Sequence, residues 1–306
     1  MIEYRVRHRT TYRYLQPVAQ SQHLLHLVPR PTARQAVLES RVTVDPPPTR
    51  RTGRLDAFGN AVEWLTLEDP HTTLEILAES RVTEADLPPP EPAASWAWER
   101  VREALEVPAD PETAAAADFL FDSPLVRPAR DLSPYARPSF PDGRPVLAGA
   151  IDLMRRIHKD FRYDTTVTDA TTPVDRVFEI RAGVCQDLAH VGIACLRALG
   201  LPARYVSGYL LTMPPPGVPR LVGADASHAW FAAWCPPLGW VDLDPTNDVL
   251  PGVGHVTLGW GRDYGDVAPI NGVVVGGRDH TIEVGVDVAP IDELPGDDPA
   301  VPPTKM

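Results

Sequence analysis

The 306-residue sequence predicts an α+β protein in which an N-terminal antiparallel β domain precedes a core built from a cysteine-bearing helix packed on an antiparallel sheet. Three observations carry this. Residues 1 to about 86 alternate in strand fashion and contain no long helical pattern. Farther on, Leu188, Gly192, Cys195, Leu196 and Leu199 form a one-face helical stripe that stops at Gly200, with Pro202 just beyond. Residues 226–234 and 239–247 are then β-rich runs separated by the turn Pro236-Pro-Leu-Gly239, which is the pattern of a hairpin.

In the first domain, Tyr4, Val6, His8 and Thr10 fall on one side of the opening strand, and Leu38, Val42 and Val44 mark a later one. Turns are expected at Pro46-Pro47-Pro48 and Phe58-Gly59-Asn60, and the cluster Pro88-Pro89-Pro90 with Pro92 closes the domain, giving 1–90. Residues 91–145 read as a helical, Pro-rich connector: a short helix with Trp96, Trp98, Val101 and Leu105, an Ala-rich helix near 113–120, then a proline-studded stretch expected to pack on the core. The core is placed at 146–286 and opens with the helical stripe Leu147, Ile151, Met154 and Ile157. Gly276-Gly277 is expected in a hairpin-like turn between apolar strands, and 287–306 as an acidic, Pro-rich tail too poor in apolar groups to stay ordered.

The chemistry begins at Arg181-Ala-Gly-Val-Cys185-Gln-Asp-Leu-Ala-His190, which sets a thiol at the start of the predicted helix. Unpaired first-turn N–H groups and the positive end of the helix dipole favour a nucleophilic thiolate there. In the hairpin, His228, Trp230, Ala232 and Trp234 share one face of the first strand, and Trp240, Asp242 and Asp244 one face of the second. Pleat geometry thus allows an imidazole beside a carboxylate, so that a nucleophile, a base and an orienting acid are all present. Taken singly, a buried cysteine, a strand histidine and an Asp before Pro are ordinary structural residues; together they match what a thiol hydrolase or acyltransferase needs.

The segments GVCQDLAHVGIACLRALGLPARYVSGYL, SHAWFAAW and GWVDLDPTND together resemble the bacterial transglutaminase-like superfamily. That resemblance implies a papain-like core, with the family nucleophile at Cys185, its histidine at His228 and its acid at Asp244. The opening MIEYRVRHRTTYRYLQPVAQSQHLLHLVPR resembles the β-rich N-terminal domain that accompanies this core in one bacterial branch. Gly261-Arg-Asp-Tyr264-Gly-Asp-Val267 resembles the same branch's C-terminal motif. Members include transamidases, proteases, amidases and proteins without a triad, so the resemblance names no substrate.

Composition fits an enzyme of this kind. The net charge of −12, from 41 acids against 29 bases, disfavours nucleic-acid and anionic-membrane partners. No run of about eighteen apolar residues suggests a membrane span, and the charged opening from Glu3 does not read as a signal peptide, so a cytoplasmic location is expected. Three cysteines make no disulfide framework; Cys195 and Cys235 are expected to be packed rather than reactive. His190, His228, His255 and Asp244 were the groups to weigh for a metal, but neither Cys-x-x-Cys nor His-x-x-x-His spacing occurs and no Gly-rich phosphate loop is present, so no metal or cofactor is expected.

The expected reaction is attack by the Cys185 thiolate on an amide or ester carbonyl, held by His228 and Asp244, with water or an amine releasing the acyl group. The Cys185 backbone N–H is the first oxyanion donor, and Tyr163 is the candidate for the second. Gln186, Trp230 and Trp240 are candidates for the substrate cleft, although Gln186 and Asp187 suit tying the loop together and strand tryptophans usually pack in a core. The expected partner is a peptide or protein amide, with the oligomeric state open. The competing class is a non-catalytic protein that uses the same fold to dock a peptide. First-domain residues would shape the cleft or an oligomer contact while the chemistry stays in the core.

Overall fold

A computed structural model of the chain describes residues 1–127, 131–212 and 226–291. The first domain consists of β1 (Ile2–Leu25), β2 (Gln35–Asp45), β3 (Arg50–Leu55), β4 (Ala61–Leu67) and β5 (His71–Glu84), all antiparallel, in the order β2-β5-β1-β4-β3. Its alternation has the expected cause. Tyr4, Val6, His8 and Thr10 are buried on one face of β1 while Glu3, Arg5 and Arg9 meet solvent or the glutamates of β5.

The connector supplies α1 (Trp98–Glu106), α2 (Pro111–Ala117) and α3 (Leu132–Ala136). Asp110 caps α2 through the Thr113 N–H at 2.8 Å, with Pro at the first helical position. Helix α4 (Val146–Asp160) buries Leu147, Met154 and Ile157 of its predicted stripe, with Ile151 only partly buried against the same core. It leads through β6 (Arg162–Tyr163), α5 (Val174–Ile180) and β7 (Ala182–Gly183) into α6 (Cys185–Ala198). Strands β8 (Ala203–Leu210), β9 (Ala226–Trp234), β10 (Trp240–Leu243) and β11 (His255–Gly261) form the second sheet, in the order β10-β9-β8-β11. Helix α6 packs on it: Leu188, Val191, Ile193 and Leu196 join Tyr205, Phe231 and Leu243 in one apolar core. Each such side chain contributes roughly 1.5–3 kcal/mol on burial.

The final segment departs from the expected boundaries. Helix α7 (Tyr264–Val267) is followed by β12 (Ile270–Gly276) and β13 (His280–Pro290), and both pair antiparallel with β1 in the first sheet. Residues 270–286, read as core, therefore belong to the N-terminal sheet, and 287–290, read as tail, are its last paired residues, with Asp287 opposite Arg7. Gly276 and Gly277, both at positive φ, do not turn a hairpin; they carry the chain from one half of β1 to the other. The reason is register along a 24-residue β1, which has room for two successive partners on one edge. The tail from 292 onward lies outside the described residues. Among the described residues no helix is long and apolar enough to cross a membrane.

The two sheets meet in a cluster containing Tyr4, Val6, Val82, Tyr209, Val256, Leu258, Val286 and Val288. Alongside it, Trp260 of the core lies between two guanidinium groups, Arg30 of the first domain at 3.5 Å and Arg204 of β8 at 3.7 Å.

Candidate active site

The nucleophile loop is built by local hydrogen bonding. Cys185 is the first residue of α6, and the buried Asp187 carboxylate accepts the Val184 N–H at 2.8 Å and the Thr168 hydroxyl at 2.6 Å. An acid at the third helical position reaching back to the cap is half of a capping box. Gly183 makes it possible: a Cβ there would lie 2.5 Å from Asp187 Oδ2. Gln186 Nε2 donates to the Ala170 carbonyl at 3.1 Å, so this side chain ties residues 168–172 to the helix start rather than facing a substrate.

Histidine and acid come from the predicted hairpin. β9 and β10 pair antiparallel with Trp240 opposite Trp234 and Asp242 opposite Ala232, which carries Asp244, just past β10, toward His228. His228 Nε2 lies 2.7 Å from Asp244 Oδ2, and Cys185 lies close enough to the same imidazole to raise its pKa. With Nε2 on the acid, Nδ1 is the nitrogen left for sulfur. His228 is nearly buried and Asp244 wholly so. Burial alone would lower the imidazole, but the hydrogen bonds and charges of Asp244 and Cys185 outweigh it and push His228 up to about 9. Burial would likewise raise Asp244; hydrogen bonds from His228, His255 and Asn247 hold it far below the usual carboxylate range instead.

Asp244 has a larger set of donors than the sequence suggested. Thr246 and Asn247 give their backbone N–H groups to Oδ1, at 2.9 and 3.2 Å, an Asx turn that the Asp-Pro-Thr-Asn segment favours. Asn247 Nδ2 donates to Oδ2 at 2.7 Å, and His255 Nε2 lies 3.2 Å from that same oxygen. The sequence signal for Asn247 is slight, a short polar side chain three residues after a turn aspartate.

Tyr163 sits beside the nucleophile loop. Its strand β6 pairs with β7, Tyr163 opposite Gly183, and the ring stays half exposed while burial and the neighbouring Cys185 raise its phenol. Trp230 is not a cleft residue: fully buried, it packs with Val206 and Ala232 behind His228, ring centroids 6.0 Å apart, and has no surface to offer a substrate. Trp240 packs on Phe119 and Arg204 at the end of β10 away from Asp244. Both follow the packing preference of aromatic residues on strands. Cys195 and Cys235 are completely buried, and burial pushes the Cys195 thiol up to about 12.

Of the groups weighed for a metal, His190 lies apart on α6, where its Nε2 accepts the Tyr264 N–H at 3.2 Å. His228, Asp244 and His255 do converge, with donor atoms within 4.8 Å of one another. The facing atoms of these three are engaged with one another as imidazole-to-carboxylate hydrogen bonds. This sets a cysteine beside an imidazole that is itself hydrogen-bonded to a carboxylate, groups of the kind that can form and break a thioester.

The comparisons with known proteins match this architecture. Residues 4–83 match the bacterial transglutaminase-like N-terminal region, and residues 139–245 match the transglutaminase-like superfamily core. An uncharacterized protein of Mycobacterium tuberculosis is 41% identical over 300 residues, covering 94% of this chain and 93% of the relative, and one of Mycobacterium leprae is 33% identical over 295 residues, covering 93% and 97%. A protein-glutamine gamma-glutamyltransferase of Pseudomonas aeruginosa is 38% identical over 102 residues, 32% of this chain and 15% of that protein. A crystal structure from Cytophaga hutchinsonii, described as a candidate cysteine protease, superposes with a TM-score of 0.72 at 22% identity, covering 100% of this chain and 94% of that one, a likeness of fold. From the N-terminal region through the core, then, the chain belongs to the transglutaminase-like superfamily.

Proposed function

We propose that the protein is a thiol enzyme that forms an acyl-enzyme at Cys185 from a peptide or protein amide. The observation that carries this reading is His228, with its Nε2 2.7 Å from Asp244 Oδ2 and Cys185 beside the same ring. The Cys185 thiolate attacks the amide carbonyl carbon, a C–S bond forms, and the oxyanion is met by the Cys185 backbone N–H, which as a first-turn group has no intrahelical acceptor. Tyr163, half exposed and paired with Gly183 beside the nucleophile loop, is the side-chain donor proposed to assist. Imidazolium at His228 gives its proton to the leaving nitrogen as the C–N bond breaks. Water or an amine then attacks the thioester carbonyl, neutral His228 takes the proton of that nucleophile, and the C–S bond breaks to return the thiolate beside imidazolium.

The likeness to the Pseudomonas aeruginosa glutamyltransferase over 102 residues supports a glutamine side-chain amide as the acyl donor. The competing reading, a protein that only docks peptides, gives no role to a buried carboxylate oriented on a histidine beside a thiol. Intact-mass measurement on incubation with a glutamine-containing peptide tests the proposal. The expected result is a covalent adduct of wild type that loses ammonia on formation, is absent in Cys185→Ala, and is discharged by water or by an added primary amine. Unmodified wild-type mass with both glutamine peptides and a general peptide library overturns it.

A further inference from the structure

Asp244 serves two imidazoles, and the second belongs to a segment that the first domain holds in place. His255 opens β11, its side chain is about nine-tenths buried, and its Nε2 lies 3.2 Å from the oxygen that also accepts from His228. The two rings are 6.1 Å apart, and Trp230 stands edge-on to His255 at 5.4 Å, fixing its plane from behind. Its Nδ1 is buried with no hydrogen-bond partner among the described residues. The residue lines a cavity of about 30 Å³ together with Arg34, Gln35, Glu84, Asp242 and Gly252, enough room for one water.

Three side chains of the first domain grip the backbone around His255. Gln35 takes both groups of Thr257, accepting its N–H at 2.9 Å and donating to its carbonyl at 2.8 Å, as a neighbouring strand would. Glu84, at the end of β5, accepts the Gly254 N–H at 2.6 Å, and Arg34 donates to the Pro251 carbonyl at 3.2 Å. A one-residue slip here would take the His255 ring off Asp244. The charged and titratable groups around His255 are Asp244 and Asp242 from the β10 side, His228 from β9, Glu84 from β5 and Arg34 from the segment before β2. Burial keeps the Glu84 carboxyl up at about 7 against the opposing Gly254 and Arg34 contacts, so the charge on this wall is itself adjustable near neutrality.

We propose that His255 is a positioning residue of the reaction, a second imidazole that shares the Asp244 carboxylate with His228, and that the first domain sets it there through Gln35 and Glu84. This rests on the thiol-enzyme reading above. An N–H donated by His255 draws electron density from the carboxylate and fixes its plane, which moderates how strongly Asp244 holds the proton of His228. The first domain would then act on the chemistry without touching the reacting atoms.

The test uses the full chain and iodoacetamide, following Cys185 alkylation by peptide mass across pH and reading the alkaline midpoint at which His228 loses its proton. His255→Leu is expected to move that midpoint upward by about half a unit or more, because the carboxylate loses a competing donor. His255→Gln, which keeps an N–H, is expected to restore it, and Gln35→Leu to move it in the same direction as His255→Leu. A merely structural role would not separate Leu from Gln. Should His255→Leu fail to fold, Gln35→Leu and His255→Gln still decide between the outcomes. A midpoint unchanged in His255→Leu and Gln35→Leu, or lowered in either, overturns the proposal. Failure of the thiol-enzyme reading looks different: wild-type Cys185 would then alkylate no faster than Cys195 or Cys235.

Discussion

His228 Nε2 and Asp244 Oδ2 lie 2.7 Å apart, with the carboxylate fully buried and four further donor contacts shared between its two oxygens. A carboxylate fixed by so many donors cannot swing away from the imidazole, so it stays in place to stabilise imidazolium at His228. Asp244→Asn should therefore fold yet lower turnover by about 10⁴-fold, since an amide neither stabilises imidazolium nor enforces the tautomer. Asp242→Asn is the control: that carboxyl sits beside Arg204, and the carboxylate bonded to His228 is that of Asp244. Steady-state rates of the two variants check the assignment, and the reverse pattern would transfer the role to Asp242.

The pH dependence follows from the same contact. His228 rises from 6.5 to about 9 in the folded protein, so the stability it contributes is fully present below about 6.5 and is lost as pH rises through about 9. Catalysis should share the upper limit, because the leaving nitrogen needs a proton from imidazolium. A kcat/KM profile with an alkaline limb near 9 is expected, with the limb shifted to lower pH in Asp244→Asn. A limb that stays fixed in that variant would mean that another group is titrating.

Cysteine reactivity provides a check that needs no substrate. Cys185 is partly exposed at a helix start beside His228, while Cys195 and Cys235 are fully buried with thiols raised by burial. At neutral pH iodoacetamide should label Cys185 at least about 100-fold faster than either of the others. Peptide mapping after brief exposure measures this directly, and equal labelling of the folded protein would remove the case for an activated thiol.

Gly192 tests how closely α6 seats on the sheet. A Cβ at that position would lie 2.5 Å from the Phe231 ring, inside the contact that fixes the nucleophile helix over β9. Gly192→Ala trades a gain in helix propensity against overpacking of about 1–3 kcal/mol. Overpacking should win: a lowered Tm is expected, with slower Cys185 alkylation as the helix is pushed from His228. Thermal melts and the alkylation rate of the same variant decide it, and an unchanged or raised Tm would show that Phe231 yields easily.

These relationships were legible in the sequence to different depths. The helix of Cys185 is readable because Leu188, Gly192, Cys195 and Leu196 repeat at helical spacing, and the hairpin that brings His228 and Asp244 together because only a short Pro- and Gly-containing turn separates its strands. Local pattern carried both. What it did not carry was long-range pairing: β13 reads as a strand anywhere, and nothing near it says that its partner is β1, some 270 residues earlier, with Tyr14 opposite His280. His255 stands in the sequence only as a histidine, and its place on Asp244 depends on Gln35 and Glu84 of another domain holding Thr257 and Gly254 on either side of it. Trp230 illustrates a different limit, since its alternation gives the face while its depth comes from Val206, Gly208 and His255 of neighbouring strands packing against its ring.

That pairing changes what removal of the first domain should do. From the proline cluster at 88–92 alone, a chain beginning at Glu91 would be expected to keep its core and lose only substrate recognition. The structure argues otherwise, because β13 pairs with β1 from Tyr4 to Tyr14, and Val286 and Val288 are buried against Tyr4, Val6 and Val82. Deleting 1–90 strips that strand of its hydrogen-bond partners, uncovers Tyr209, Val256 and Leu258 of the core sheet, and releases His255 from Gln35 and Glu84. Unpaired strand edges and exposed apolar surface favour association. Residues 91–306 expressed alone should be aggregated or lack cooperative unfolding, as judged by gel filtration and thermal melting. A monomeric, cooperatively folding product with fast Cys185 alkylation would show that the core stands without its first sheet, and would leave that sheet a role in binding alone.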